Sequence, residues 1–275
     1  MYADDCVHRV ALGIRSTALV RLLVRGIIRV MQQSDSTDLE LQVGVAKINK
    51  YATRESGDTL ELIERPQGGL SLVLADGQRS GPAAKVISNL VARKAIALLA
   101  EGVRDGAAAR AAHDYLRTHR QGKVSATLNI VSLDLTTRTI VISRNSHCPV
   151  LVHDAQGLHS LNEPSEAIGI YARTKPVITE LQLAPHTWVV VFTDGVLDAG
   201  RRFGVSFDLA ALVASSITPH THDAAALAEA ILERAVQLDQ GRPQDDMSTL
   251  VLAVLPARDV SAVRRLTVRF PIPSY

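Results

Sequence analysis

Apolar and polar positions along the chain divide it into strand-like and helix-like stretches. Short runs of β-branched and aliphatic residues, bounded by Gly, Pro or Asp, are typical of strands. They predict strands over 39–48, 59–64, 70–75, 125–133, 139–143, 149–153, 177–183, 188–193 and 247–254. Longer stretches rich in Ala and Leu predict helices over 82–99, 106–118, 207–215 and 224–238.

The order of these elements predicts the fold class. Strands are followed by two helices, more strands, two more helices and a last strand. The first hairpin is predicted at 59–75, because its two strands are separated by Arg65-Pro66-Gln67-Gly68-Gly69. We expect an α+β fold in which two antiparallel sheets pack face to face with a helical pair outside each, a four-layer α-β-β-α sandwich.

The two ends of the chain differ from the domain predicted at 39–256. Residues 1–38 contain Arg21, Arg25 and Arg29 at helical spacing among apolar residues, followed by a polar linker. The pattern over 15–31 predicts a basic amphipathic helix, with three interpretations open: packing on the domain or a partner, contact with a membrane surface, or a poorly ordered extension. Residues 257–275 form a tail with no predicted element.

Composition narrows the class of protein. The chain has 275 residues, of which 47% are hydrophobic, enough to bury a sizeable core. A net charge of +2 does not favour a nucleic-acid partner, and no apolar run reaches the length of an integral membrane segment. The two cysteines, Cys6 and Cys148, favour a reducing cytoplasm over a disulfide framework. No His-x-x-x-His or Cys-x-x-Cys pair appears, so a zinc site is not predicted.

Acidic residues stand at the ends of several predicted strands. Two apolar runs end in Asp-Gly, one run is preceded by Gly-Asp, and one by Asp-Asp. The positions are Asp58, Asp76, Asp194, Asp245 and Asp246. The sequence shows no matching cationic cluster, so we expect these carboxylates to repel one another unless a cation lies between them. Mg²⁺ and Mn²⁺ prefer such oxygen ligands.

This arrangement predicts metal-assisted phosphoryl chemistry. Two ions about 4 Å apart can share one carboxylate, activate a water and offset the charge of a phosphoryl group. Gly77 has no side chain, which lets its carbonyl approach a cation closely. A single Asp-Gly pair is a common turn, so the hypothesis rests on the whole set.

Four segments carry a resemblance to a known family. They are Ser56-Gly57-Asp58, Leu74 to Ala84 with its Asp76-Gly77, Phe192-Thr193-Asp194-Gly195, and Asp245-Asp246-Met247-Ser248. In this order and spacing they resemble the metal-dependent protein phosphatases, in particular their bacterial SpoIIE and RsbX branch. The resemblance covers roughly residues 40 to 256.

The resemblance implies a fold, an activity and a set of ligands. The fold is the same α-β-β-α sandwich, and the reaction is hydrolysis of phosphoserine or phosphothreonine with two Mn²⁺ or Mg²⁺ ions. Asp76 would bridge the ions, with Asp194 and Asp245 completing one site and Asp58 and the Gly77 carbonyl the other. Asp246 is an alternative to Asp245. The expected substrate is a small phosphorylated regulatory protein of a bacterial partner-switching pathway, with a regulatory partner acting through residues 15–31.

Some positions depart from the family pattern. Gln78 and Arg79 stand where many relatives carry Gly or His, so a histidine acting as general acid is absent. Arg79 either binds the substrate phosphate or points to solvent, and Arg54 is either a second phosphate ligand or a surface charge. We interpret His147 as a turn residue and Cys148 as a small buried residue.

Two other functions stay open at this stage. One is a catalytically silent binding module that keeps the fold and takes part in signalling. The other is a metal-dependent phosphodiesterase or a phosphatase of small molecules.

Overall fold

The structure, a computed structural model, describes residues 38–218, 220–257 and 263–271. Leu39–Pro256 form one compact unit, and the residues on either side of it belong to a second unit. Residues 263–271 are exposed and contain neither helix nor strand. The helix predicted over 15–31 lies outside the described residues. In the described ranges, no helix combines the length and the apolar character needed to cross a membrane.

The compact unit contains strands and helices close to the predicted ones. The strands are β1 Leu39–Ile48, β2 Asp58–Glu64, β3 Gly69–Gly77, β4 Ala126–Asp134, β5 Thr139–Asn145, β6 Val150–Asp154, β7 Gly157–Leu161, β8 Val177–Gln182, β9 Thr187–Phe192 and β10 Met247–Pro256. The helices are α1 Gly81–Ala100, α2 Asp105–Arg120, α3 Asp194–Leu197, α4 Leu209–Ser216 and α5 Ala224–Leu238, with a 3₁₀ turn at Arg201–Phe203. The sequence analysis missed β7 and α3.

The strands form two antiparallel sheets, as predicted. The first sheet has the order β1-β10-β9-β6-β7, and the second has the order β2-β3-β4-β5-β8. The predicted hairpin is β2 paired with β3.

Three apolar layers hold the sandwich together. One lies between the sheets, one between the first sheet and the pair α4 and α5, and one between the second sheet and the pair α1 and α2. In β3, Leu72 and Leu74 face the other sheet, while Val73 and Ala75 face the helices. Both faces of this strand are buried, which explains why its sequence is continuously apolar rather than alternating. The four-layer arrangement is therefore confirmed.

The layer between the sheets becomes polar at one end. Asp76 continues the row of Leu72 and Leu74, because alternate residues of a strand point to the same face. On the opposite sheet, Thr193 continues the row of Val191. This end of the sandwich is where the acidic residues meet.

Candidate active site

Asp58 and Asp76 lie directly opposite each other on the paired strands β2 and β3. Side chains at such positions start about 5 Å apart, and two like charges there destabilise the pair. Asp58 is only 1% exposed, and Asp76 is partly buried. Two carboxylates that are this close and shielded from water require a proton or a cation between them.

Asp58 is oriented by hydroxyl groups from the opposite sheet. Its Oδ2 accepts hydrogen bonds from Ser248 Oγ at 2.6 Å and from Thr193 Oγ1 at 3.1 Å. Its other oxygen, Oδ1, is buried and has no hydrogen-bond partner among the described residues. A buried acceptor without a partner costs free energy. A hard cation would satisfy this oxygen, so the donor chemistry of the site fits such an ion.

The carboxylates disfavour ionisation in the absence of a cation. Burial, followed by the charges of Asp58 and Asp194, raises the pKa of Asp76 to about 10. Burial raises the pKa of Asp58 to about 6, although the hydrogen bond from Ser248 lowers it in part. Burial also raises the pKa of Asp245. These shifts describe a group of acids that a positive ion would stabilise in their charged form.

Asp194 is held at the rim by a short helix. The sequence analysis predicted a turn at Asp194-Gly195, but these residues begin α3. A Cβ on Gly195 would lie 2.2 Å from the backbone oxygen of Asp246. Glycine is required here because α3 packs directly on the residues that precede β10. This packing brings Asp194 beside Asp245.

The two adjacent aspartates before β10 have different surroundings. Asp246 is 3% exposed, and its two carboxylate oxygens accept hydrogen bonds from the backbone amides of Lys50 at 2.9 Å and Gly57 at 2.8 Å. Asp245 is less buried, and its Oδ1 accepts one hydrogen bond, from the backbone amide of Asp246 at 2.9 Å. Burial and then the charge of Asp194 raise its pKa. Asp246 therefore fastens the loop before β2, while Asp245 faces the other carboxylates.

Gly77 ends β3 beneath the first helix. A Cβ at this position would lie 2.1 Å from the backbone oxygen of Ala84 in α1. The glycine is therefore required for close packing of strand and helix, a reason that the sequence analysis did not consider. The same packing holds the end of β3, with Asp76, in place.

Two lysines that the sequence analysis missed lie beside Asp58. Lys47 Nζ and Lys85 Nζ donate to the backbone carbonyl of Asp58 at 2.6 and 2.7 Å. Burial and the charge of Lys85 lower the pKa of Lys47 to about 8. The expectation that no cations accompany the carboxylates was wrong. Both ammonium groups bind the main chain of Asp58 rather than its carboxylate, so its Oδ1 stays without a partner.

The two arginines proposed to bind phosphate are exposed. Arg79 lies two residues after Gly77. Its φ is 75°, in the left-handed region that non-glycine residues rarely adopt. Arg54 lies in the loop before β2. Within the described parts of the chain, neither guanidinium makes a hydrogen bond or an ion pair. Both are available to a ligand or to solvent.

His147 and Cys148 lie on the turn between β5 and β6. His147 is exposed, and Cys148 is buried, as predicted. Burial and the charge of Asp194 raise the pKa of the Cys148 thiol to about 12. The thiol is therefore protonated at neutral pH and is not a nucleophile.

The acidic side chains do not converge on one point in this structure. In the ranges that the structure describes, no group of three or more His, Cys, Asp or Glu side chains is arranged so that it could hold a metal ion. The donor chemistry fits a divalent cation, and binding one requires the carboxylates to rotate toward a common centre.

This sandwich with an acidic rim is a PPM-type phosphatase domain. The model of the family described as "Stage II sporulation protein E (SpoIIE)" matches residues 66–255. The chain belongs to the SpoIIE family. Asp58 precedes the matched range, whereas Asp76, Asp194, Asp245 and Asp246 lie inside it.

Known relatives are distant in sequence. Stage II sporulation protein E of Priestia megaterium is 20% identical over 212 residues, which is 77% of this chain and 36% of the relative. The protein of the same name from Bacillus subtilis is 19% identical over 214 residues, 78% of this chain and 26% of the relative. The chain thus spans about a third or less of the length of these curated relatives.

Solved structures share the fold. The PP2C phosphatase domain of SpoIIE from Bacillus subtilis, solved with a fragment of its regulatory domain, matches with a TM-score of 0.68 and 17% identity, over 80% of this chain and 65% of that one. The catalytic domain of PstP in complex with two manganese ions matches with a TM-score of 0.60 and 16% identity, over 79% of this chain and 99% of that one. RsbX in complex with magnesium matches with a TM-score of 0.60 and 14% identity, over 80% of this chain and 98% of that one.

Proposed function

We propose that this chain is a metal-dependent phosphatase that hydrolyses phosphoserine or phosphothreonine in a protein. The opposed pair Asp58 and Asp76 carries the proposal. Its two acids face each other in a buried rim, and one buried carboxylate oxygen has no partner among the described residues. Such a pair is unfavourable on its own and is stabilised by a divalent cation. Membership of the SpoIIE family supports the same activity.

We assign two ions, Mn²⁺ or Mg²⁺, to the rim. Asp76 would be shared by both ions, Asp194 and Asp245 would complete one site, and Asp58 with the Gly77 carbonyl would complete the other. Asp246 is left out, because both of its oxygens already accept backbone hydrogen bonds. The manganese in PstP and the magnesium in RsbX support this choice of ions.

The ions, when bound, supply Lewis acidity to the phosphoryl oxygens and lower the pKa of a water molecule. The chain supplies the orientation. Ser248 and Thr193 fix the direction of Asp58 through its Oδ2. Arg79, exposed two residues beyond Gly77, would bind the substrate phosphate through its guanidinium fork. Arg54 is the second candidate for this role.

We further propose that the substrate is a small regulatory protein of a partner-switching pathway in the bacterial cytoplasm, and that the chain acts in signal transduction. The resemblance of the acidic segments to the SpoIIE and RsbX branch and the family match over residues 66–255 support this class of substrate. A regulatory partner would engage residues 15–31, outside the described residues. The buried free thiol of Cys148 is in keeping with a reducing compartment.

The test is hydrolysis of a phosphoserine peptide and of p-nitrophenyl phosphate with Mn²⁺, Mg²⁺ or EDTA. Asp76→Asn should lower kcat/KM by orders of magnitude, because it removes the bridging carboxylate. Asp114→Asn, an equal change at an exposed site on α2, serves as the matched control and should keep full activity.

Two outcomes would contradict the proposal. Folded protein that hydrolyses neither substrate with either ion would favour the silent binding module. Turnover of bis-p-nitrophenyl phosphate without turnover of the phosphopeptide would favour a phosphodiesterase.

A further inference from the structure

A cleft of about 540 Å³ opens between the turn that follows β5 and the segment that connects β7 to β8. Four basic side chains line it, Arg144, His147, Arg173 and Lys175, together with the acids Glu163 and Glu166. The turn that contributes His147 also carries Cys148, whose pKa is raised by burial and then by the charge of Asp194. The lining of the cleft contains none of the proposed metal ligands.

Arg144 is a buried cation at the wall of this cleft. It is 2% exposed, and its guanidinium donates to the backbone carbonyls of Ser146, at 2.8 Å, and of Glu163. Among the described residues, no carboxylate lies within 4.0 Å of it. Carbonyl oxygens fill only part of its hydrogen-bonding capacity, and the acid that acts on its charge, Glu163, is exposed to solvent. A buried charge is costly unless it is paired.

Thr174 supplies a second buried donor in the cleft. It is 5% exposed, and its Oγ1 has no hydrogen-bond partner in the described part of the chain. Its neighbours Arg173 and Lys175 are exposed and line the same cleft. Buried hydroxyls are almost always hydrogen-bonded in folded proteins, so this one is an unsatisfied donor in the lining of the cleft.

The charges of the cleft are arranged by depth. The buried donors are a guanidinium and a hydroxyl, and the two acids, Glu163 and Glu166, are both exposed. Water screens the exposed acids more effectively than it screens the buried guanidinium. The floor of the cleft is thus the more positive part.

We propose that this cleft is an oxyanion site, in which Arg144 and Thr174 donate to a phosphate, sulfate or carboxylate group. The group comes either from an acidic or phosphorylated side chain of the protein substrate or from a free small anion. The first source rests on the proposed phosphatase function. The site itself does not, because its donors belong to neither metal position.

Arg144 also stabilises the segment after β7, so a second residue of the cleft is the better position for a test substitution. Its backbone oxygen accepts a hydrogen bond from Ser165 Oγ at 2.6 Å, and its guanidinium holds the carbonyl of Glu163. Replacing Arg144 therefore loosens the segment after β7. Thr174→Val is the cleaner change, since valine has nearly the same shape and the lost hydroxyl has no partner in the described residues.

The first experiment is calorimetric titration of the EDTA-treated full chain with sodium sulfate at constant ionic strength. We expect one saturable site, weakened about tenfold by Thr174→Val, as for a hydrogen bond to a charged group, and abolished by Arg144→Gln. Arg138→Gln, an equal loss of charge at the exposed turn before β5, should leave binding unchanged. Absence of a saturable site, or equal weakening by Arg138→Gln, would overturn the proposal.

The second experiment distinguishes the two sources of the anion in the Mn²⁺-loaded protein. For a substrate side chain, Thr174→Val raises KM for a phosphopeptide with flanking acidic residues and leaves KM for p-nitrophenyl phosphate unchanged. For a free anion, neither KM changes, while addition of sulfate alters the activity of wild type and not of Thr174→Val. Intact sulfate binding in a protein without phosphatase activity would refute the proposed function and leave the oxyanion site standing.

Discussion

Replacing Asp76 with asparagine should stabilise the metal-free protein at neutral pH and remove its response to manganese. The pKa of Asp76 is raised from 3.8 to about 10 by burial and by the charges of Asp58 and Asp194. At pH 7 the folded protein therefore keeps a proton on this carboxyl that the unfolded chain has released. Asparagine is neutral in both states, so it does not carry this proton-linked cost.

The size of the effect follows from linkage between proton binding and folding. The shift corresponds to a cost of about 4 kcal/mol at pH 7 as an upper bound, because each pKa unit is worth about 1.4 kcal/mol. Asp76 is partly exposed, and solvent screening reduces this figure. We expect asparagine to raise the free energy of unfolding by about 1 to 3 kcal/mol, or the Tm by roughly 2 to 10 °C in a domain of this size.

The pH dependence gives the sign of the effect. For an acid whose folded pKa is raised, the wild-type protein loses stability as pH increases from 3.8 toward 10. The gain from asparagine should therefore be near zero at pH 4 and should grow with pH. Thermal unfolding in EDTA at several pH values measures it, and a Mn²⁺ titration should raise the Tm of wild type alone. A variant less stable than wild type at pH 8 in EDTA would refute the reasoning.

Three further changes test separate parts of the structure. Asp246→Ala should cost roughly 2 to 4 kcal/mol in denaturant unfolding, because it leaves two backbone amides without their acceptor. Gly77→Ala should cost about 1 to 3 kcal/mol or more, since its Cβ would meet the backbone of Ala84 at 2.1 Å, and the loss should appear as a lower Tm in EDTA. His113 Nδ1 accepts from the amide of Gly169 at 3.0 Å, and burial lowers the pKa of this imidazole below 6.5. Its contribution to stability should be lost as pH falls below 6.5, and His113→Gln should flatten that part of the pH–Tm profile.

Much of the fold could be predicted because both faces of the strands near the centre are buried. In Leu72 to Ala75 of β3 and Trp188 to Phe192 of β9, residues facing the other sheet and residues facing the helices are all apolar, so each run stands out in the sequence. β7 was missed because Gly157–Leu161 are short, only partly buried and contain His159 and Ser160. Such an edge strand gains its structure from pairing with β6, which no local pattern encodes.

The candidate site residues stand out in the sequence, but the differences between their surroundings depend on tertiary contacts. The adjacent Asp245 and Asp246 are chemically identical, and only the amides of Lys50 and Gly57, far away in sequence, distinguish them. The position of Lys47 could have been predicted from the alternating pattern of β1. It falls in the same row as Leu41 and Val43, which face the layer between the sheets.

The central claim is that the acidic rim holds two divalent ions, and a Mn²⁺ titration followed by electron paramagnetic resonance of the free ion tests it most directly. We expect two ions per chain for wild type and for Asp114→Asn. Asp76→Asn should bind no Mn²⁺ over the same concentration range, because both proposed sites share that carboxylate. Absence of saturable binding, or binding that Asp76→Asn leaves unchanged, would contradict the claim.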